Sequence, residues 1–209
     1  MLLEARLSNP ARFLDQERLD RLARMLARVF DQDPHFNWMV RQDGSREEAL
    51  YRLFLLLVEA LPGEEGMVQV ADDEKAVAIW YPPGSGPLSL WRKLAFLGAY
   101  LPICGWKAFP SRALGLQMME SRRPSCPHYY LQVIGVAERN RGHGRKLVEP
   151  MLEQCNVRQV SAYLETSNAR NLGFYEKMGF RQAGSYSLPS GPRLWRLLHS
   201  PVANAVGLG

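Results

Sequence analysis

The sequence predicts an α/β (α+β) fold, a mixed central sheet of about six to seven strands flanked by helices. Three observations predict it. Tyr129 to Val136 and Val160 to Thr166 are near-continuous apolar runs of the kind that fill the buried middle of a sheet. A glycine-rich turn and a helix follow the first run at once. Upstream, the three-and-four spacing of amphipathic helices precedes a hairpin signal.

Asp15 to Phe30 reads as the first helix, because Leu19, Leu22, Ala23, Leu26 and Phe30 lie on one face. Asp33-Pro34 ends it, and Phe36 and Trp38 fall in the following loop. Ser45-Arg46-Glu47-Glu48 has the form of a capping box opening a second helix, which runs to Leu61 and stops at Pro62-Gly63. Met67 to Ala71 and Ala76 to Tyr81 form a hairpin around Asp72-Asp73. Pro82-Pro83-Gly84 breaks the sheet, and helical segments interrupted by Pro102 and Pro110 fill 88–119. Pro150 interrupts the helix behind the glycine turn and should bend it. Asn168 to Met178 is a short helix with Gly179 as its left-handed stop. Phe180 to Ala183 and Arg193 to Leu198 close the sheet, and Pro201 to Gly209 reads as a loose tail. One domain over 1–200 is expected.

Apolar residues make up 46% and charged residues 22% of 209, which is a globular balance. The net charge of +5 and pI near 9.3 suit an anionic ligand, but the basic residues form no run, so nucleic acid is not an expected partner. Cys104, Cys126 and Cys155 include no C-x-x-C pair, so neither a disulfide framework nor a metal site is expected. Reduced thiols and the absence of a signal-peptide pattern point to the cytoplasm. The most apolar segment, Leu94 to Cys104, is about half the ~20 residues a spanning helix requires. A homodimer is compatible with these features.

Arg141, Gly142, His143 and Gly144 stand between a buried strand and a helix start. Glycines let backbone approach a ligand, and a helix start offers unpaired N–H groups with a partial positive charge. Together they cradle a phosphate. A nucleotide P-loop would need a hydroxyl after Gly-Lys, and Gly144 is followed by Arg145-Lys146-Leu147. A dinucleotide fold would need glycine at 147. The third pattern, (Q/R)-x-x-G-x-(G/A), is met in full by Arg139-Asn140-Arg141-Gly142-His143-Gly144.

That pattern is the pyrophosphate loop of the GNAT superfamily of N-acetyltransferases, and the next residues strengthen the likeness. Leu164-Glu165-Thr166-Ser167-Asn168-Ala169-Arg170-Asn171, leading into Phe174-Tyr175-Glu176-Lys177-Met178-Gly179-Phe180, is similar to the closing GNAT motif. Val70-Ala71-Asp72-Asp73, His128-Tyr129-Tyr130-Leu131 and Gly191-Pro192-Arg193-Leu194-Trp195 resemble the branch that contains puromycin N-acetyltransferase. The resemblance spans roughly 15–198 and implies no particular acceptor.

It implies the GNAT fold, with strands four and five (Tyr129–Val136 and Val160–Thr166) splayed apart. It implies acetyl-CoA as co-substrate and a small amine as partner, with direct attack in a ternary complex. The pantetheine would pair with Ile134, Gly135 and Val136. The pyrophosphate would lie on Arg139, Arg141, Gly142, His143, Gly144, Arg145 and Lys146. Asn168 and Asn171 occupy the family positions beside the pantetheine and the thiol exit. Tyr175, seven residues after Asn168, matches the tyrosine that protonates the leaving thiolate.

Amine acetylation also needs a base or an amine anchor. His128 and Glu165 are the candidates; Glu120 and Tyr81 are lesser ones. Strand alternation puts His128, Tyr130 and Gln132 on one face. The acceptor pocket would draw on Phe36, Trp38, Trp80, Tyr81, Tyr130 and Gln132, and this number of aromatic residues suggests an apolar or aromatic amine. A non-catalytic acyl-CoA-binding sensor or interaction module is the alternative of the same fold.

Overall fold

The computed structural model describes residues 15–59, 67–71, 73–84, 90–138 and 141–202. Asp15 caps α1 (Gln16–Val29): its carboxylate accepts from the Arg18 N–H at 2.7 Å. The helix buries Leu22, Ala23, Leu26 and Ala27, the core of the predicted stripe.

The segment after it differs from expectation. Phe36 and Trp38 lie on a short helix, α2 (Pro34–Met39), rather than in a loop. Pro34 begins that helix, where its missing N–H is not needed. Asp33 Oδ1 accepts from the His35 and Phe36 N–H groups at 2.9 and 3.1 Å. A helix of this length is below what hydrophobic periodicity can register. At α3 (Arg46–Glu59), Asp43 Oδ1 accepts from the Ser45 N–H at 3.0 Å, and Glu48 pairs with Arg52 instead of closing a capping box. The expected stop at Pro62-Gly63 lies outside the described residues.

β1 (Met67–Val70) and β2 (Ala76–Tyr81) form the predicted antiparallel hairpin. α4 (Leu90–Cys104), with Pro102 in its last turn, and α5 (Phe109–Ser121), with Pro110 in its first, lead to β3 (His128–Val136). α6 (His143–Arg158) runs on through Pro150. β4 (Ser161–Thr166), a 3₁₀ turn (Ala169–Asn171), α7 (Leu172–Lys177), β5 (Arg181–Ser187) and β6 (Arg193–His199) complete the described chain. Gly179, at φ +86°, supplies the expected left-handed stop after α7.

The described strands form one mixed sheet in the order β1-β2-β3-β4-β6-β5, with only β3 and β4 parallel. Helices cover both faces. On one face α1, α2, α3 and α4 pack against Val77, Ile79, Val133 and Leu194. On the other, α6 and α7 pack against Ala78, Trp80, Leu131 and Leu164.

Two irregularities coincide in β3. Against β2, Ile79 pairs with Val133 and Trp80 with Leu131, so Gln132 is an extra, bulged residue. Against β4, pairing runs from His128–Ser161 to Leu131–Leu164 and goes no further. The two parallel strands therefore part at the bulge, as the splayed pair was expected to. The bulge also breaks strict alternation. Tyr129 and Leu131 face α6, and so do Ile134 and Val136, whereas Val133 and Gly135 face α1.

Candidate active site at the opening of the sheet

The parting of β3 and β4 leaves the β3 edge from Gln132 to Val136 unpaired with β4, while its other edge stays bonded to β2. Backbone groups left without a sheet partner form a ready template for an added strand. Ile134, Gly135 and Val136 all lie on this edge.

The glycine turn sits at the end of that edge. Gly142 has φ +76° and caps α6, and no atom of the described residues lies within 4 Å of where a Cβ would stand. The first intrahelical bond of α6 runs from the Lys146 N–H to the Gly142 carbonyl at 3.1 Å. The amides of His143, Gly144 and Arg145 precede it and have no helical acceptor. Gly144 is buried, and a Cβ there would touch Phe174 and Val136 at 3.4 Å and Ile134 at 3.6 Å. The turn is thus held against the open strand by packing. No acidic residue occupies the first turn of α6. Open space, left-handed backbone and unpaired amides fit the diphosphate of a coenzyme A thioester.

The basic side chains there are partly neutralised. Arg145 pairs with Glu149 at 2.5 Å, Arg141 lies 3.9 Å from Glu138, and His143 Nε2 lies 3.7 Å from Asp73. The backbone amides, more than the side-chain charges, distinguish this turn. Arg139 lies outside the described residues. Asn168 spends its side-chain oxygen capping the 3₁₀ turn, on the Arg170 N–H at 3.1 Å. The Asn171 side chain caps nothing at the start of α7.

Tyr175, on α7, is 5% exposed and packs edge-on against Phe174 and Phe180. Burial, and to a lesser degree the charge of Asp33, pushes its pKa above the ordinary tyrosine value. Its hydroxyl is protonated across the physiological range and can donate. Asp33 itself is tied to the end of β4: Ser167 Oγ donates to Asp33 Oδ1 at 3.1 Å and accepts from the His35 N–H at 3.1 Å. The sequence reading missed this junction, because Asp33 reads as a turn residue before proline. The His35 ring is buried beside Phe36 and Trp38, its Nε2 has no partner among the described residues, and desolvation lowers its pKa to about 4.

On the face away from α6, the other candidates converge on a tyrosine cluster. Glu165 Oε1 accepts from the hydroxyls of Tyr163 and Tyr186, both at 2.8 Å. Burial raises the Glu165 pKa, and the two tyrosine hydroxyls oppose that shift. The Tyr130 ring lies tilted, 5.8 Å from Tyr163 and 6.2 Å from Tyr81. The Arg123 guanidinium lies 4.2 Å over the Tyr130 ring. Burial pushes Tyr81 up to about 12. His128 joins the cluster edge-on to Tyr163 at 5.4 Å. Its Nδ1 bonds the Cys126 carbonyl at 2.7 Å, which requires the proton on Nδ1 and leaves Nε2 with its lone pair. Desolvation lowers its pKa, keeping the ring neutral.

Three predicted pocket residues make other contacts. Trp80 is fully buried on the α6 face, with Nε1 bonded to Gln69 Oε1 at 3.1 Å. Phe36 packs on Phe30 and Phe54 at 4.5 and 4.9 Å. Trp38 bonds the Pro189 carbonyl at 3.1 Å and lies under Arg112. Gln132, expected on the Tyr130 face, is the bulged residue. Glu120, the lesser candidate, is taken by Lys93 at 3.0 Å. Tyr163, Tyr186 and Arg123 were not foreseen; no pattern in the sequence links them to Glu165.

Comparison with known proteins agrees with this fold. Residues 113–180 match the model of the acetyltransferase (GNAT) family. An uncharacterized N-acetyltransferase of Schizosaccharomyces pombe is 27% identical over 134 residues, covering 55% of this chain and 51% of that protein. The chain thus spans about half the length of this curated relative. A crystal structure described as a histone acetyltransferase HPA2 and related acetyltransferase, from Corynebacterium glutamicum, superposes with a TM-score of 0.68 at 20% identity, over 92% of this chain and 96% of that one. A polyamine N-acetyltransferase of Drosophila melanogaster superposes with a TM-score of 0.56 at 13% identity, over 87% and 93% of the two chains. The family match falls on α5 through Phe180, the turn and Tyr175 included, and over that stretch the chain is similar to the GNAT family of acetyltransferases.

Proposed function

We propose that this protein transfers an acetyl group from acetyl-CoA to the primary amine of a small acceptor, by direct attack in a ternary complex. The observation that carries the reading is the open β3 edge from Gln132 to Val136, ending at the unpaired amides of the Gly142 turn. Ile134, Gly135 and Val136 would pair with the pantetheine arm, and the amides of Arg141 to Arg145, with the Lys146 side chain beside them, would hold the diphosphate. Arg139, Asn168 and Asn171 keep their family roles as proposals.

In the transfer, the amine nitrogen attacks the thioester carbonyl carbon, the N–C bond forms and the C–S bond breaks. The amine's departing proton goes to a base, and a proton returns to the thiolate. Tyr175, buried and protonated, supports the second role. Glu165 supports the first, as base or as anchor for the ammonium, because Oε2 receives no hydrogen bond among the described residues. The lone pair on neutral His128 Nε2 is the other candidate base. Tyr81 and Tyr130 would line an aromatic acceptor wall.

A non-catalytic acyl-CoA-binding module would have no need of a protonated tyrosine hydroxyl without a hydrogen-bond partner among the described residues, and Tyr175 is one. CoA release from acetyl-CoA, followed over a library of primary amines, separates the two. Acceptor-dependent release is expected. Tight CoA binding by calorimetry without release for any amine would favour the module, and no CoA binding would overturn both.

A further inference from the structure

The tyrosine cluster carries positive charge that acetylation of a simple amine does not call for. Arg122 and Arg123 follow α5, and each lies on a tyrosine of the cluster. The Arg122 guanidinium is 4.7 Å over Tyr186 and that of Arg123 is 4.2 Å over Tyr130. The charge of Arg123 is felt at Tyr81, His128, Tyr130 and Glu165, which places it among the groups proposed to face the acceptor.

Neither arginine takes part in an ion pair among the described residues, although most arginines of α1 to α3 do. The pair is also held in place. Arg196, on β6, donates to the Arg122 carbonyl at 3.0 Å and to the Ala183 carbonyl at 2.9 Å, fixing the backbone from which both side chains project. A guanidinium over a ring presents its π face there and keeps its in-plane N–H donors, the fork that matches a carboxylate. The Tyr130 hydroxyl is within reach of one Arg123 donor, and the others are left for a ligand. Glu165, the carboxylate of the cluster, uses Oε1 on Tyr163 and Tyr186.

We infer that Arg123, with Arg122 beside it, binds a carboxylate on the acceptor, so that the acceptor is an amino acid held at both ends. Its ammonium lies toward Glu165 Oε2 and its carboxylate toward the stacked guanidinium. This rests on the acetyl-transfer reading above and makes it specific. It also gives the aromatic wall a second use: the rings hold the arginine rigid, so that little side-chain entropy is lost when the acceptor binds.

The test compares the twenty standard amino acids, each beside its own carboxamide, as acceptors for acetyl-CoA. The carboxamide keeps the side chain and the amine and removes only the charge. It also lowers the pKa of the amine, so any bias in the comparison runs against the inference. At least one amino acid is expected to exceed its carboxamide about 10-fold or more in kcat/KM, one charged hydrogen-bonded contact being worth that much. Arg123→Ala should bring that ratio toward one, mainly by raising KM. Arg123→Lys, which keeps the charge and loses the fork, should recover part of it.

Carboxamides used as well as the acids, no amino acid accepted at all, or a folded Arg123→Ala protein with the ratio intact would each overturn the inference. Calorimetry of the wild-type protein with CoA separates the two levels. If CoA binds while amino acids fail, the carboxylate site is wrong and the transferase reading stands. If CoA does not bind, both fall.

Discussion

The hydroxyl of Tyr186, on β5, reaches over the intervening strand β6 to donate to Oε1 of Glu165, on β4, at 2.8 Å. Tyr163 donates to the same oxygen at the same distance. A half-buried carboxylate is thereby kept usable at the wall of the proposed acceptor site, at a cost to stability that depends on pH.

The direction of that cost follows from linkage. Burial raises the folded pKa of Glu165 above the ordinary 4.5. A carboxyl raised in the folded state favours folding while it is protonated. That contribution is fully present below 4.5 and is lost as pH rises through the raised folded value. Glu165→Gln, which keeps an oxygen to accept from both tyrosines, should therefore gain stability relative to wild type as pH climbs from the acid side to neutrality. Urea unfolding at a series of pH values reads the difference, and a difference that does not change with pH would contradict it. Acetyl transfer should fall in the same variant.

Tyr175→Phe removes the proposed donor to the leaving thiolate and leaves the packing against Phe174 and Phe180 in place. Turnover is expected to drop by roughly 10²-fold, in the usual range for a general acid, with CoA affinity nearly unchanged. Steady-state kinetics beside calorimetry make the check. A full rate removes Tyr175 from the chemistry.

At Gly142 two effects can be separated. The position is open to a side chain but has φ +76°, so Gly142→Ala should cost about 1 kcal/mol of stability from backbone strain alone. Gly142→Glu adds bulk and negative charge where a diphosphate is proposed to lie. It should abolish CoA binding while losing no more stability than the alanine variant. Retained binding in the folded glutamate variant would count heavily against the turn as the cofactor site.

Gly135 is needed for close approach, not for conformation. A Cβ there would stand 2.3 Å from Leu26 Cδ2 and 3.2 Å from Phe30, so α1 lies directly on β3 at this residue. Gly135→Ala should destabilise the fold by about 1–3 kcal/mol through overpacking. Chemical denaturation measures it. Unchanged stability would mean that α1 can lift away from the strand without loss.

Most of the fold was legible in the residues, for reasons of local physics. The stripe on α1, the alternation and turn of the β1–β2 hairpin, the apolar runs of β3 and β4 and the Gly179 stop each depend on neighbours in sequence. The glycine turn was legible for the same reason, since a strand, two glycines and a helix start are contiguous. Helix α2 was not, because six residues leave no period to read.

The candidate site divides in the same way. The sequence alone determined the strand–turn–helix whose first amides have no helical acceptor, and it singled out Tyr175, Glu165 and His128 as the candidates for carrying protons. Only the tertiary structure decided which face each side chain takes. The bulge at Gln132 reverses the alternation beyond it, and Trp80 turns out to face α6. Only the strand order β4-β6-β5 and the placement of the α5 end bring Tyr186, Arg122 and Arg123 to Glu165 and Tyr130. Pairing between strands and the packing of helices on a sheet are relations between distant parts of the chain. No spacing along the sequence encodes them, so the acceptor side of the site existed only once the sheet had closed.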